Sequence, residues 1–125
     1  MTETRTARIG LSEEAVVLVR IKDGVHQSLG DAMENLAAAL AETGAQRRPV
    51  LVDIRHAQPL EAEVLHRYSD EVLSKDFSAF ALLVEESPLG LTMGNTYLRI
   101  THLGMPTELF TDEARALEWL KRYRA

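Results

Sequence analysis

Hydrophobic positions in this chain repeat with two different periods, and the periods alternate along its length. From Arg5 to Leu11, the residues Ala7, Ile9 and Leu11 share one side and Thr6, Arg8 and Gly10 the other. That is the alternation of a half-exposed edge strand. The polar turn Ser12-Glu13-Glu14 separates it from the β-branched run Ala15–Ile21, and the two runs predict a hairpin. Beyond Lys22-Asp23-Gly24 the period changes. Leu29, Ala32, Met33, Leu36, Ala37 and Leu40 recur at steps of three and four and predict one apolar helical stripe. Ser28 is placed to cap that helix, with Asp31 at its third position, and Gly44 to stop it.

The same exchange of periods recurs to the end of the chain. Val50–Ile54 is a short apolar strand, followed by a helical pattern from about Leu60 to Leu73 with Val64, Leu65, Tyr68 and Val72 on one side. Ala79–Val84 is apolar at every position, as in a strand covered on both faces. Ser87-Pro88 opens the next helix, a cap followed by a residue suited to the first turn. Leu89, Met93, Tyr97 and Ile100 form its inner stripe. A brief strand, Glu108–Phe110, leads to Thr111 as the cap of a last helix. Asp112 and Glu113 in its first turn and Lys121, Arg122 and Arg124 in its last complement the helix dipole. The expected order is β-β-α-β-α-β-α-β-α: an α/β fold with one five-stranded sheet, mixed but mostly parallel, and four helices. No repeat or linker interrupts residues 1–125, so one domain is expected.

Composition narrows the classes. With 46% hydrophobic and 26% charged residues, 7 Gly and 4 Pro in 125 residues, the chain is neither disordered nor collagen-like. The net charge of −5 is spread as −2 over residues 1–62 and −3 over residues 63–125, which argues against a nucleic-acid backbone as partner. The absence of cysteine removes thiol catalysis and sulfur-ligated metal sites. The first fifteen residues lack the apolar core of a secretion signal. The longest apolar run, Ala79–Val84, falls far short of the roughly 20 residues that span a bilayer. A cytoplasmic location without membrane insertion is the expectation.

Candidate chemistry is sparse. Neither G-x-G-x-x-G nor a Walker motif occurs, and His26, His56, His66 and His102 lack metal-ligand spacing, so no catalytic residue, cofactor or metal is expected. Asp53-Ile54-Arg55-His56 closes a strand with an acid, a base and an imidazole, the residue types of proton transfer. Strand alternation puts Asp53 and Arg55 on one side, so a strand-end ion pair with His56 solvated is the simpler account. Ser87 stands at a helix start that favours anions, and a plain cap explains it equally well. The helix after it is apolar on a second side. Leu91 and Leu98 stand seven residues apart, with small Gly94 between them and Asn95 alongside. Either the loop Leu103–Pro106 covers that side, or it meets a second copy of the chain or a ligand.

The strand Val50–Ile54, Ala81–Val84 followed by Ser87-Pro88, then Gly94-Asn95, Pro106, Leu109-Phe110-Thr111 and Ala116–Leu120 together resemble small bacterial proteins of the STAS-like (SpoIIAA-like) superfamily. That fold group also takes in CRAL-TRIO-like lipid carriers. The resemblance implies a SpoIIAA-like α/β fold and a regulatory role without catalysis. Its best-known members are anti-sigma-factor antagonists switched by phosphorylation of a serine. Laid on that pattern through Asp53, the serine's place falls near Ala62, between Glu61 and Glu63, and residues 56–68 contain no Ser or Thr. A phosphoserine switch is therefore not expected here.

Three readings of function follow. The first is a non-enzymatic regulatory or protein-interaction module whose partner is another protein or itself, as a homodimer meeting through Leu91, Gly94, Asn95 and Leu98. The alternative is a small-molecule or lipid-binding domain with a pocket beside helix 87–101, lined by Met93, Tyr97 and Met105, although a chain this short leaves little room for a deep cavity. The third is an enzyme built on Asp53, Arg55 and His56.

Overall fold

A computed structural model describes residues 1–68, 75–100 and 104–124. Its sheet has six strands in the spatial order β1 to β6: β1 Thr2–Glu3, β2 Ala7–Leu11, β3 Val17–Ile21, β4 Arg48–Asp53, β5 Phe77–Leu83 and β6 Thr107–Phe110. The first three are antiparallel to one another, and β3 through β6 are parallel. Helices α1 Leu29–Glu42, α2 Ala62–Tyr68 and α3 Pro88–Ile100 fill the three crossovers, and α4 Glu113–Leu120 follows the last strand and ends in a 3₁₀ turn, Lys121–Tyr123. Parallel strands added one after another by right-handed crossovers place every connecting helix on the same face. Thus α1 and α3 pack on Val19, Ile21, Val50 and Leu82, while α4 alone packs on Leu51, Ala79, Ala81 and Leu83.

The mixed, mostly parallel α/β architecture is the expected one, with one strand more. Thr2 and Glu3 pair with Ile9 and Arg8, so the strand begun near Arg5 is not an edge. Two polar residues carry no hydrophobic alternation, and only backbone pairing makes them a strand. Ala15 adopts φ 65°, which ends the turn two residues later than the apolar run suggests. At the last helix the cap is Asp112 and not Thr111: its carboxylate accepts from the backbone N–H groups of Ala114 and Arg115. The basic residues fall just beyond that helix, in the 3₁₀ turn and after it. Val72, Leu73, His102 and Leu103 lie outside the described residues, as do the side chains of Leu65 and Ile100.

In α1 the expected capping box forms between Ser28 and Asp31, but the inward face is rotated. Ala32, Asn35, Leu36 and Ala39 are buried, whereas Met33 is 53% exposed and Ala37 is exposed. A polar residue faces inward because partners wait for it. Asn35 accepts from Thr4 Oγ1 and donates to Thr6 Oγ1 at 2.9 Å. A buried amide with all its bonds made is no worse than an apolar side chain, whereas one left unmade costs about 1–3 kcal/mol.

Candidate functional site

On the three-helix face, α1 sits over β2 and β3 and α3 over β6. Gly94 holds α3 there: it is buried, and a Cβ at that position would run into the Leu109 and Val84 side chains. Between the two helices, Pro59, Leu60 and Tyr68 at the end of α2 border the space over β4 and β5. The result is a cavity of about 250 Å³. Val50, Val52, Ile54, Phe77, Phe80 and Leu82 form its floor, Leu36 and Ala39 one wall, and Met93 and Tyr97 the other.

Strand geometry alone does not give that floor. In a regular strand Phe77 and Phe80 point to opposite faces. Here β4 advances two residues, Arg48 to Val50, while β5 advances three, Phe77 to Phe80. This bulge turns both rings to the same side. Phe80 then stacks on Tyr97 with centroids 5.7 Å apart, and Tyr97 Oη donates to the Tyr68 carbonyl at 2.9 Å. Among the described residues the lining contains no charged one, and its polar groups are Gln27, Asn35, Thr92, Thr96 and the two tyrosines. Pro59, Leu89, Thr92 and Thr96 are exposed lining residues, so the cavity opens between α3 and the segment before α2. Burial, above all, pushes the Tyr68 phenol up to about 12, and it remains a protonated donor at neutral pH.

The opposite face carries the charged cluster. Asp53 is 6% exposed and receives Arg55 through Nε at 3.0 Å, Nη2 at 2.8 Å and the backbone N–H at 3.1 Å. Arg20, opposite Asp53 in the β3–β4 register, bonds Asp53 at 3.2 Å and reaches Glu113 at the start of α4 at 2.6 and 3.0 Å. Burial pulls the Asp53 carboxyl upward, but the hydrogen bonds from Arg55 and the charge of Arg20 outweigh it and hold it below its ordinary value. The Arg20 hydrogen bond lowers Glu113 likewise. Two carboxylates and two guanidiniums thus neutralise one another and tie β3, β4 and α4 together. His56 is exposed, and its carbonyl accepts from Gly24 N–H at 2.9 Å.

Of the residues singled out in the sequence, the structure brings Asp53 and Arg55 together. Ser87 accepts from Gly90 N–H at 3.0 Å and so caps α3. Leu91 is 39% exposed, Asn95 is exposed, and Leu98 is partly buried against the three-helix core. Leu89, expected inside, is 66% exposed at the cavity mouth. Of the three pocket residues expected beside helix 87–101, Met93 and Tyr97 line the cavity, and Met105 packs against the same core without lining it. The buried polar residues Gln27 and Asn35, with Tyr68, carry no motif. Their one signal is the place of Asn35 on the Ala32–Leu36–Ala39 stripe. Glu61 and Glu63 are exposed, and His26 Nε2 lies 3.4 Å from Glu61. Among the described residues no three His, Cys, Asp or Glu side chains are grouped to hold a metal ion, and no helix is long and apolar enough to cross a membrane.

This arrangement of strands and helices is a SpoIIAA-like fold. A solved structure of an uncharacterized DUF3478-family protein with that fold, from Shewanella loihica PV-4, matches with a TM-score of 0.60 at 15% identity, covering 96% of this chain and 98% of the other. A sequence model of the domain of unknown function DUF7793 matches residues 10–124, and the chain belongs to that family. A protein of unknown function from Arthrobacter sp. FB24 is 25% identical over 96% of both chains, with a TM-score of 0.36. No curated protein matches.

Proposed function

We propose that the protein is a non-enzymatic binding module that takes a small, largely apolar molecule into the space between its sheet and the three-helix layer. The cavity carries this reading: about 250 Å³ with an uncharged, mainly apolar lining and an opening beside α3. A core of this composition ordinarily closes to crystal-like density. Apolar void costs about 24 cal/mol per Å³, so a space this large works against folding by several kcal/mol unless binding requires it. Since a cavity of ~150 Å³ accommodates benzene, this one suits a ligand of about ten heavy atoms. It lies below the ~300–1,000 Å³ of sites for drug-sized molecules, which excludes a two-chain lipid held whole inside. The described lining holds no carboxylate, imidazole or amine, which supports binding over catalysis.

Naphthalene, with ten carbons, is a suitable probe. Titration followed by backbone amide shifts is expected to show saturable changes at Val52, Leu82 and Tyr97 and a rise in Tm. Ala39→Leu, which fills the wall from α1, is expected to abolish both. Absence of saturable binding, or equal binding by the filled variant, overturns the reading.

A further inference from the structure

The polar corner of the cavity is complete except at one atom. Gln27, in the segment leading to α1, is 2% exposed and lines the cavity. Its Oε1 accepts from Tyr68 Oη and from Asn35 Nδ2, the latter at 3.4 Å. Asn35 Nδ2 also reaches Thr6 Oγ1 and Tyr68 Oη, and its Oδ1 accepts from Thr4. Turning the Gln27 amide over would set its NH2 against that of Asn35, so the network fixes which end faces the others. Nε2 is left buried with no hydrogen-bond partner among the described residues. Nearly every buried donor in a folded protein is paired, so this one marks where an acceptor belongs. The charge of that acceptor is also constrained. Among the described residues the cavity has no cationic lining residue, and Arg5, a cation near this corner, is already bound to Asp31 and the His26 carbonyl. A buried anion there would meet no counter-charge in the described lining.

Resting on the binding reading above, we infer that the ligand is a neutral, mainly apolar molecule of about ten heavy atoms whose single carbonyl-type oxygen accepts a hydrogen bond from Gln27 Nε2. The test compares 2-nonanone with its hydrocarbon isostere 2-methyl-1-nonene and with nonanoate at pH 7.5, by calorimetric and NMR titration of the whole chain. The ketone is expected to bind about 10- to 100-fold tighter than either of the others, and Gln27→Leu to erase its preference over the alkene. In the wild-type protein the Gln27 side-chain amide protons are expected to move downfield with the ketone and to stay in place with the alkene, a readout that needs no variant to fold. Equal affinities for ketone and alkene, as a water bound to Nε2 would produce, overturn the inference and leave the binding reading standing. Tightest binding of nonanoate overturns it in the same way. Failure of all three probes, with naphthalene, removes both.

Discussion

Leu82 and Leu83 are neighbours on β5, both almost wholly buried, and they look into opposite kinds of interior. Leu83 faces α4, where Ala79, Ala81 and Ala116 let helix and sheet approach and Leu51 and Leu120 fill the gaps with no exposed surface. Leu82 faces the cavity, whose lining from α1 and α3 includes the small side chains of Ala39, Thr92 and Thr96. The strands offer large apolar side chains to both faces. What differs is whether the covering helix sits directly above them. One helix centred on a sheet closes it; two helices drawn toward the flanks, with Gly94 anchoring α3 near β6, leave the middle open.

The largest expected effect tests that contrast within one strand. Leu83→Ala is expected to cost about 4 kcal/mol, the upper part of the range for buried leucines, and Leu82→Ala about 2 kcal/mol. Part of the Leu82 side chain already borders space and has fewer contacts to lose. Urea denaturation with an unchanged m-value measures both. Equal costs would mean that the three-helix face is as tightly filled as the other.

Adding volume should then give opposite signs. Ala81→Leu overfills the α4 face and is expected to cost about 1–3 kcal/mol. Ala39→Leu fills existing space and is expected to stabilise by about 0.5–2 kcal/mol. Thermal unfolding of the two variants decides it, and a destabilised Ala39→Leu would show that the cavity wall has no room to spare.

Why the sequence foretold the sheet better than the cavity follows from the kinds of signal involved. Alternating periods report which element a residue occupies and which way it faces, and they placed β3 to β6, the helices α1, α3 and α4 and the start of α2 within a few residues. They do not report where a helix sits above a sheet. The bulge that turns Phe77 toward Phe80 breaks the two-residue rule itself. The inward turn of Asn35 is hidden by any reading that follows apolar residues alone, because its place in the core depends on Thr4, Thr6 and Gln27, distant in sequence or outside the helix. Asp53 and Arg55 were readable as a pair because strand geometry is local; Arg20 and Glu113 join them through register and helix docking.

The two faces should also part company with pH. Asp53 and Glu113 have folded pKa values below their ordinary 3.8 and 4.5. Their contribution is therefore complete above that range and lost as pH falls through the folded values. Asp53→Asn is expected to cost about 1–2 kcal/mol at pH 7, since its guanidinium partners are partly solvated, and to flatten the acid limb of the stability curve. Tyr68, on the cavity face, is raised from 10.0 to about 12, so its contribution is complete below pH 10 and lost as pH rises through that interval. Tyr68→Phe is expected to cost about 1 kcal/mol at pH 7 and to remove its share of the alkaline loss. If each variant altered the other limb, the assignment of the two networks to separate faces would fail.

The smallest effect separates stability from binding. Gly30 lies in the first turn of α1, exposed, and a Cβ there meets only Ser28 Oγ at 3.7 Å, an ordinary contact. Gly30→Ala is expected to stabilise by about 0.5–1 kcal/mol through helix propensity and the unfolded chain's lost freedom. It touches neither the cavity lining nor Gln27, so naphthalene affinity should stay within about twofold of wild type, a change worth under half a kcal/mol. Paired with Ala39→Leu, it yields two more stable proteins carrying a change on the same helix, of which only one has lost its space. If Gly30→Ala weakened binding as Ala39→Leu does, then entry would depend on α1 loosening at its first turn, and the opening beside α3 would not be the route.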